Sequence, residues 1–274
     1  MRLYPRKAGS YAVGALARVR LPERLRRPLL GRFAAALGAN LDEAQKDLGA
    51  YVSFLDFFTR RLKPGARPQA PAVPGGINSP VDGLVIAEGR VKEGALLQAK
   101  GLEYRLDELL DGDPLASEFA RARYTTLYLA PKDYHRIHVP LGGAVLAVGR
   151  VEGELWPVNA ASTASTPRLY VRNRRAYWIA RGAREAEGLA AAVVMVAATH
   201  VGGVVVDPRW LGGRVLPRRG RLEVAKLPCA SGDDLGVFEL GSTVVVLVGG
   251  PKSAAWREHR SLGPIRVGER LGGF

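Results

Sequence analysis

Apolar positions change their period once along the chain. Before residue 67 they follow helical spacing: Phe54, Phe57, Phe58 and Leu62 share one side, and Leu16, Leu25, Leu29, Leu30 and Phe33 are set among arginines. Asn40-Leu41-Asp42-Glu43 and Ser53-Phe54-Leu55-Asp56 carry capping-box chemistry, which predicts a short helix opening at each. Lys63-Pro64-Gly65 ends the second helix, and the proline-rich stretch 67–74 predicts a boundary between a helical part, 1–66, and a β-rich part, 67–274. From Ile77 onward, β-branched runs between glycine turns predict strands at 84–91, 95–100, 124–131, 144–151, 168–171, 176–179, 189–198, 204–207, 221–225 and 243–248. One helical insert is expected, at 106–110 with 114–122. Many short strands without helical crossovers argue against a parallel α/β sheet. The predicted class is α+β, a helical N-terminal part followed by a mainly antiparallel β-sandwich or partly open barrel.

Composition narrows the partners. An apolar content of 47% is enough for a real core, and the single Cys229 cannot form an intramolecular disulfide, which fits a reducing cytoplasmic compartment. The net charge of +14 implies attraction to a polyanion: nucleic acid, an anionic membrane or acidic small molecules. Residues 1–32 hold nine Lys or Arg against one acid, Glu23. This segment reads either as amphipathic helices broken at Pro22 and Pro28 and lying in a membrane interface, or as a basic arm packed on the domain. Positions for stacking single-stranded nucleic acid are sparse in it. No uncharged stretch is long enough to span a bilayer. Residues 1–17 have the outline of a signal peptide, but the apolar stretch is short, rich in Gly and Ala, and followed at once by arginines, so export is not expected.

Three motifs can carry chemistry. Leu240-Gly241-Ser242-Thr243 is a small-residue turn feeding the apolar run 244–248. Gly241 leaves the backbone free to adopt a strained peptide that the Ser242 hydroxyl could attack, although such a turn can equally be structural. Asp82, in Asn78-Ser79-Pro80-Val81-Asp82-Gly83, sits in ordinary turn chemistry or serves a site. His135 and His138 lie three apart between Pro131 and Pro140, a spacing that can share one face of a helical turn. No His-Glu-x-x-His pattern or third ligand accompanies them, so no metal is expected. Serine, histidine and aspartate together suggest nucleophile, base and orienting carboxylate, without the elbow of an α/β-hydrolase.

With these motifs in view, the sequence resembles the phosphatidylserine decarboxylases of the membrane-associated bacterial type. The resemblance runs through Glu43-Ala44-Gln45-Lys46, Phe57-Phe58-Thr59-Arg60, Ser79-Pro80-Val81-Asp82-Gly83, Lys100-Gly101, Tyr134-His135-Arg136-Ile137-His138, Leu155-Trp156-Pro157-Val158-Asn159, Asn173-Arg174-Arg175 and Leu240-Gly241-Ser242-Thr243. It departs at Arg174, where the family usually has an acid, and at His200. The resemblance implies a precursor that cuts itself between Gly241 and Ser242 into a β chain, 1–241, and an α chain, 242–274. His138, oriented by Asp82, is the implied base; the Ser242 oxygen attacks the Gly241 carbonyl, elimination leaves dehydroalanine, and its hydrolysis with release of ammonia leaves position 242 as a covalent pyruvoyl group.

That group would take the amine of phosphatidylserine as a Schiff base and accept the electrons released with carbon dioxide, yielding phosphatidylethanolamine. His135 is the implied acid that returns a proton and helps hold the phosphate. Also implied are a homodimer of processed protomers, an anionic membrane surface as partner, a peripheral place on the cytoplasmic face of the cell membrane, and no nucleic acid. Two rival readings remain: the same chemistry on archaetidylserine, and a noncatalytic basic module binding membrane or nucleic acid.

Overall fold

The run from Val244 to Val248 has no polar face, so it belongs where both faces of a strand are covered. In the computed structural model, which describes residues 6–199, 203–239, 242–258 and 262–274, it forms part of Ser242–Gly249, the fifth of eight strands in one antiparallel sheet. Across the sheet the order is Gly220–Cys229, Gly143–Val151, Arg175–Gly182, Ala190–Ala197, Ser242–Gly249, Arg123–Leu129, Gly83–Arg90 and Gly263–Ile265. The two outer strands do not pair with each other, so the sheet is open rather than a closed barrel. Two three-stranded sheets pack with it: Val204–Val206, Asp234–Phe238 and Arg136–His138 form one; Ile77–Asn78, Arg270–Gly273 and Arg257–Glu258 form the other. The α+β class and the antiparallel pairing are therefore as the strand pattern predicts.

The N-terminal part comprises α1 (Arg6–Arg18), α2 (Glu23–Leu37) and α3 (Phe54–Phe58). Ser53 caps α3 as expected: its Oγ accepts from Asp56 N at 3.1 Å, and Asp56 Oδ2 accepts from Val52 N at 2.9 Å. Leu30, Ala34, Tyr51 and Phe57 make a small core of their own, with Phe33 edge-on to Phe54 at 5.0 Å. No described helix is long and apolar enough to cross a membrane.

Three local expectations are overturned. Pro28 does not break the chain but lies inside α2. A proline there removes one hydrogen bond and costs about 3 kcal/mol, offset by burying Leu30 and Ala34 completely. Residues 40–43 form a turn, not a helix: Asn40 Oδ1 accepts from Asp42 N, and Glu43 is drawn away by Arg67. The strand expected at 168–171 is a short helix, Leu169–Arg172, because Arg168 takes a left-handed backbone (φ 56°) and Gln98 Oε1 accepts from Leu169 N at 2.8 Å.

Candidate active site

Ser242 opens its strand and pairs with Leu129 on one side and Ala197 on the other. It is fully buried, and its Oγ has no hydrogen-bond partner among the described residues. Beside it lies a cavity of about 310 Å³, walled mainly by Leu129, Pro131, Pro157, Val158 and Ala198, with Asn159 and Thr199 as polar members. Buried Asn173 builds that wall. Its Oδ1 accepts from Trp156 N at 2.9 Å, and its Nδ2 donates to the carbonyls of Trp156 and Ala197, each at 2.8 Å. The 155–159 loop is thus tied to the residue paired with Ser242. Arg174, next to it, forms an ion pair with Glu152 at 3.0 Å. Gly241 and His200 lie outside the described residues, as does the turn conformation expected at 240–241.

Asp82 enters from the far side of the neighbouring strand. Leu84 pairs with Tyr128, so Gly83, Leu129 and Ser242 fall in one row, the outer two about 10 Å apart at ordinary strand spacing. The Asp82 carboxylate is engaged by Arg67, whose Nε donates at 2.8 Å and Nη2 at 2.5 Å, and by Val267 N at 2.8 Å. Arg67 Nη2 also reaches Glu43 at 2.8 Å. These hydrogen bonds hold the Glu43 carboxyl below its ordinary value against the opposing effect of burial.

His138 and Asp82 are neighbours without a direct hydrogen bond. His138 N donates to Pro80 O at 2.8 Å, two residues before Asp82. The ring is held otherwise: Nδ1 lies 2.9 Å from Gly232 O, and Nε2 lies 3.1 Å from Tyr134 Oη. A carbonyl can only accept, so Nδ1 carries the hydrogen and Nε2 offers its lone pair, which the Tyr134 hydroxyl occupies. Burial lowers the His138 pKa, while Gly232 O and the charges of Asp234 and Asp82 oppose that shift.

His135 is more deeply placed. Its Nδ1 donates to Asp133 O at 2.8 Å, its ring packs on Phe58 with centroids 4.1 Å apart, and its Nε2 is buried without a partner among the described residues. Burial, aided by the nearby Arg60 charge, pushes its pKa down to about 3. At neutral pH the ring is uncharged and Nε2 is a base, so the acid role expected for it requires a proton gained first. The two histidines do not share a helical face, because Arg136–His138 is a strand and a separation of three along extended chain turns side chains to opposite sides. Among the described residues no group of three or more His, Cys, Asp or Glu is arranged to hold a metal ion.

Sequence reasoning gave no role to Arg67, Tyr134, Glu43, Asp234 or Arg60. Tyr134, Glu43 and Arg60 stand inside motifs already singled out, and that was the available signal. Arg67 stands in a proline-rich connection and meets its partners only through the fold.

A sequence profile described as phosphatidylserine decarboxylase matches residues 54–273. A protein of Anaeromyxobacter sp. (strain K) named phosphatidylserine decarboxylase proenzyme is 45% identical over 282 residues, covering 100% of this chain and 96% of its own length. Proteins of the same name from Myxococcus xanthus and Bordetella pertussis are 37% and 36% identical, covering 99% and 98% of this chain and 96% and 91% of their own lengths.

Proposed function

Because the chain belongs to the phosphatidylserine decarboxylase family, we propose that it converts phosphatidylserine to phosphatidylethanolamine using a pyruvoyl group made by its own cleavage between Gly241 and Ser242. The observation that carries this reading is Ser242 itself, a fully buried hydroxyl without a partner among the described residues, at the head of a core strand and facing a cavity of about 310 Å³. Leaving a buried polar group unpaired costs about 1–3 kcal/mol. A structural turn gains nothing from that cost, whereas a nucleophile and the ketone it becomes both need the position.

In the first reaction His138 Nε2 takes the Ser242 hydroxyl proton as the oxygen attacks the Gly241 carbonyl carbon, moving the acyl bond from nitrogen to oxygen. The Tyr134 hydroxyl must release Nε2 for this step. Asp82 contributes through its charge, which favours the imidazolium, and Arg67 tempers that charge. Loss of the Ser242 α-hydrogen then breaks the ester at Cβ–Oγ, leaving Gly241 as a free carboxylate and residue 242 as dehydroalanine, whose imine tautomer water hydrolyses to the pyruvoyl ketone with release of ammonia. In the second reaction the pyruvoyl group supplies a ketone that accepts the electrons released with carbon dioxide. His135 Nε2, a free base, takes a proton from the incoming ammonium and returns it to the carbon that has lost carbon dioxide. Leu129, Pro157 and Val158 present apolar surface to the cavity beside Ser242.

The helical part supports docking on an anionic bilayer from the cytoplasmic side: Val13, Leu16, Val19 and Leu25 are exposed among Arg18, Arg20, Arg24 and Arg27. Intact mass tests the central reading. Purified protein should give two chains, 242–274 carrying a pyruvoyl end, and Ser242→Ala should give one inactive chain of 29.5 kDa. A wild-type chain that stays whole in the presence of lipid sinks it. Removing residues 1–32 should weaken sedimentation with anionic liposomes more than self-cleavage, and unchanged sedimentation refutes the docking role.

A further inference from the structure

Buried polar atoms without partners among the described residues include Ser242 Oγ, His135 Nε2 and Arg60 Nε. The proposed reaction uses the first two and leaves Arg60 unexplained. Arg60 is 4% exposed, no described carboxylate lies within ion-pair distance of it, and its one side-chain hydrogen bond among the described residues runs from Nη2 to Lys132 O at 3.4 Å. A guanidinium has five donors, and burying its charge without a counter-ion is costly. Phe57 lies beneath it at 5.0 Å, which stabilises the cation but satisfies none of those donors.

Arg60 lines a cavity of about 510 Å³ together with Lys132, a second cation without an ion pair among the described residues. The carboxylates lining the same space are engaged: Glu43 and Asp82 by Arg67, Asp133 by Ala130 N, and Glu269 by Arg266 N. An entering anion therefore finds Arg60 uncommitted. The fold also couples Arg60 to the chemistry, since Phe58, two residues before it, packs on His135.

Resting on the decarboxylase reading, we propose that Arg60, with Lys132 at the rim, binds the phosphodiester of the phospholipid head group beside His135. A diester carries one negative charge and two free oxygens, which match one buried cation and the paired donors of its planar fork. Substrate entry then supplies the counter-ion that Arg60 lacks among the described residues, and it brings negative charge toward His135 at the stage when that ring must acquire a proton.

Two measurements separate this subsite from the reaction. In the uncleaved Ser242→Ala chain, calorimetric titration should detect glycerophosphoserine, and Arg60→Met in that background should weaken binding by on the order of 30-fold. In the processed enzyme, Arg60→Met should raise KM for phosphatidylserine by a similar factor while kcat changes far less, Arg60→Lys should recover part of the loss, and Lys132→Met should raise KM less than Arg60→Met. Unchanged binding and KM in Arg60→Met overturn the assignment, and so does inorganic phosphate binding as tightly as the diester. If Arg60→Met does not fold, Arg60→Lys in the Ser242→Ala chain decides, and undiminished binding there refutes the subsite. Arg60-dependent binding in a protein that makes no phosphatidylethanolamine would uphold the subsite and remove the reaction instead.

Discussion

Replacing Arg67 by methionine isolates the ion network at Asp82. The Arg67 side chain is 11% exposed and bridges two carboxylates, Asp82 at 10% and Glu43 at 23%. Methionine fills much of the stem's volume but leaves the Asp82 carboxylate buried with Val267 N as its remaining hydrogen-bond donor. Breaking a buried pair from one side costs about 3–5 kcal/mol; Glu43 adds little, being more exposed and also near Arg266 at 3.6 Å. For a chain of this size, about 2–4 °C of Tm is lost per kcal/mol, so the expected fall is on the order of 10 °C. Scanning calorimetry should be run on the Ser242→Ala chain, so that a single covalent piece unfolds. Adding Asp82→Asn removes the stranded charge and should restore part of the loss, a coupling that a double-mutant cycle reads directly. A Tm within about 2 °C of the parent, or strict additivity with Asp82→Asn, refutes the clamp. The pH dependence provides a second check. Glu43 has a folded pKa below its unfolded value, so its contribution is present above about pH 4.5 and is lost as pH falls through the depressed value; Arg67→Met should flatten that part of the stability profile.

Three further outcomes follow from the same geometry. Tyr134→Phe removes the hydroxyl that donates to the neutral form of His138, so the midpoint of the pH–rate profile for self-cleavage should move up; an unmoved midpoint separates Tyr134 from the base. His135 is buried neutral with its pKa pushed to about 3, so its neutral form contributes stability above about pH 6.5 that is lost as pH falls toward 3; His135→Leu should flatten urea-derived stability over that window and abolish decarboxylation while sparing cleavage. Asn173→Ala removes three buried side-chain hydrogen bonds, to Trp156 N and to the carbonyls of Trp156 and Ala197, and should cost about 3 kcal/mol or more; a loss below about 1 kcal/mol in denaturant titration refutes its role in holding the 155–159 wall.

What the sequence disclosed and what it hid divide by distance along the chain. The strand at Ser242, the α3 cap at Ser53 and the aromatic side of α3 rest on contiguous residues, so periodicity and capping chemistry reveal them. The helix at Leu169–Arg172 depends on Gln98, some seventy residues earlier, and the Arg136–His138 strand exists because Asp234–Phe238 pairs with it. Local propensity carries neither. The candidate site follows the same rule. Ser242, His135, His138 and Asp82 were legible as motifs, but the donors and acceptors that set their protonation, Tyr134, Gly232, Asp133 and Arg67, act through contacts whose geometry only the fold supplies. The His135 motif likewise does not reveal which ring nitrogen faces a carbonyl; the Asp133 contact at Nδ1 supplies that.

The placement of Ser242 also explains how a chain could be cut in its core without coming apart. The proposed break lies before the first residue of a strand, so every ladder pair from Ser242 to Gly249, with Arg123–Leu129 on one side and Ala190–Ala197 on the other, lies after it. The segment 242–274 also contributes Gly263–Ile265 to the sheet edge and Arg270–Gly273 to the strand at Ile77–Asn78, and its Val267 N holds Asp82. Its buried side chains include Val244, Val245, Val246, Leu247, Val248, Trp256, Ile265 and Leu271, each worth about 1.5–3 kcal/mol on burial. One peptide bond contributes nothing to that sum. A cut anywhere inside the strand would instead sever a ladder, leaving a new charged end in the core. The edge of a fully paired strand therefore satisfies two demands at once: it brings the residue to be modified to a cavity, and it leaves both products of the cleavage fastened to each other.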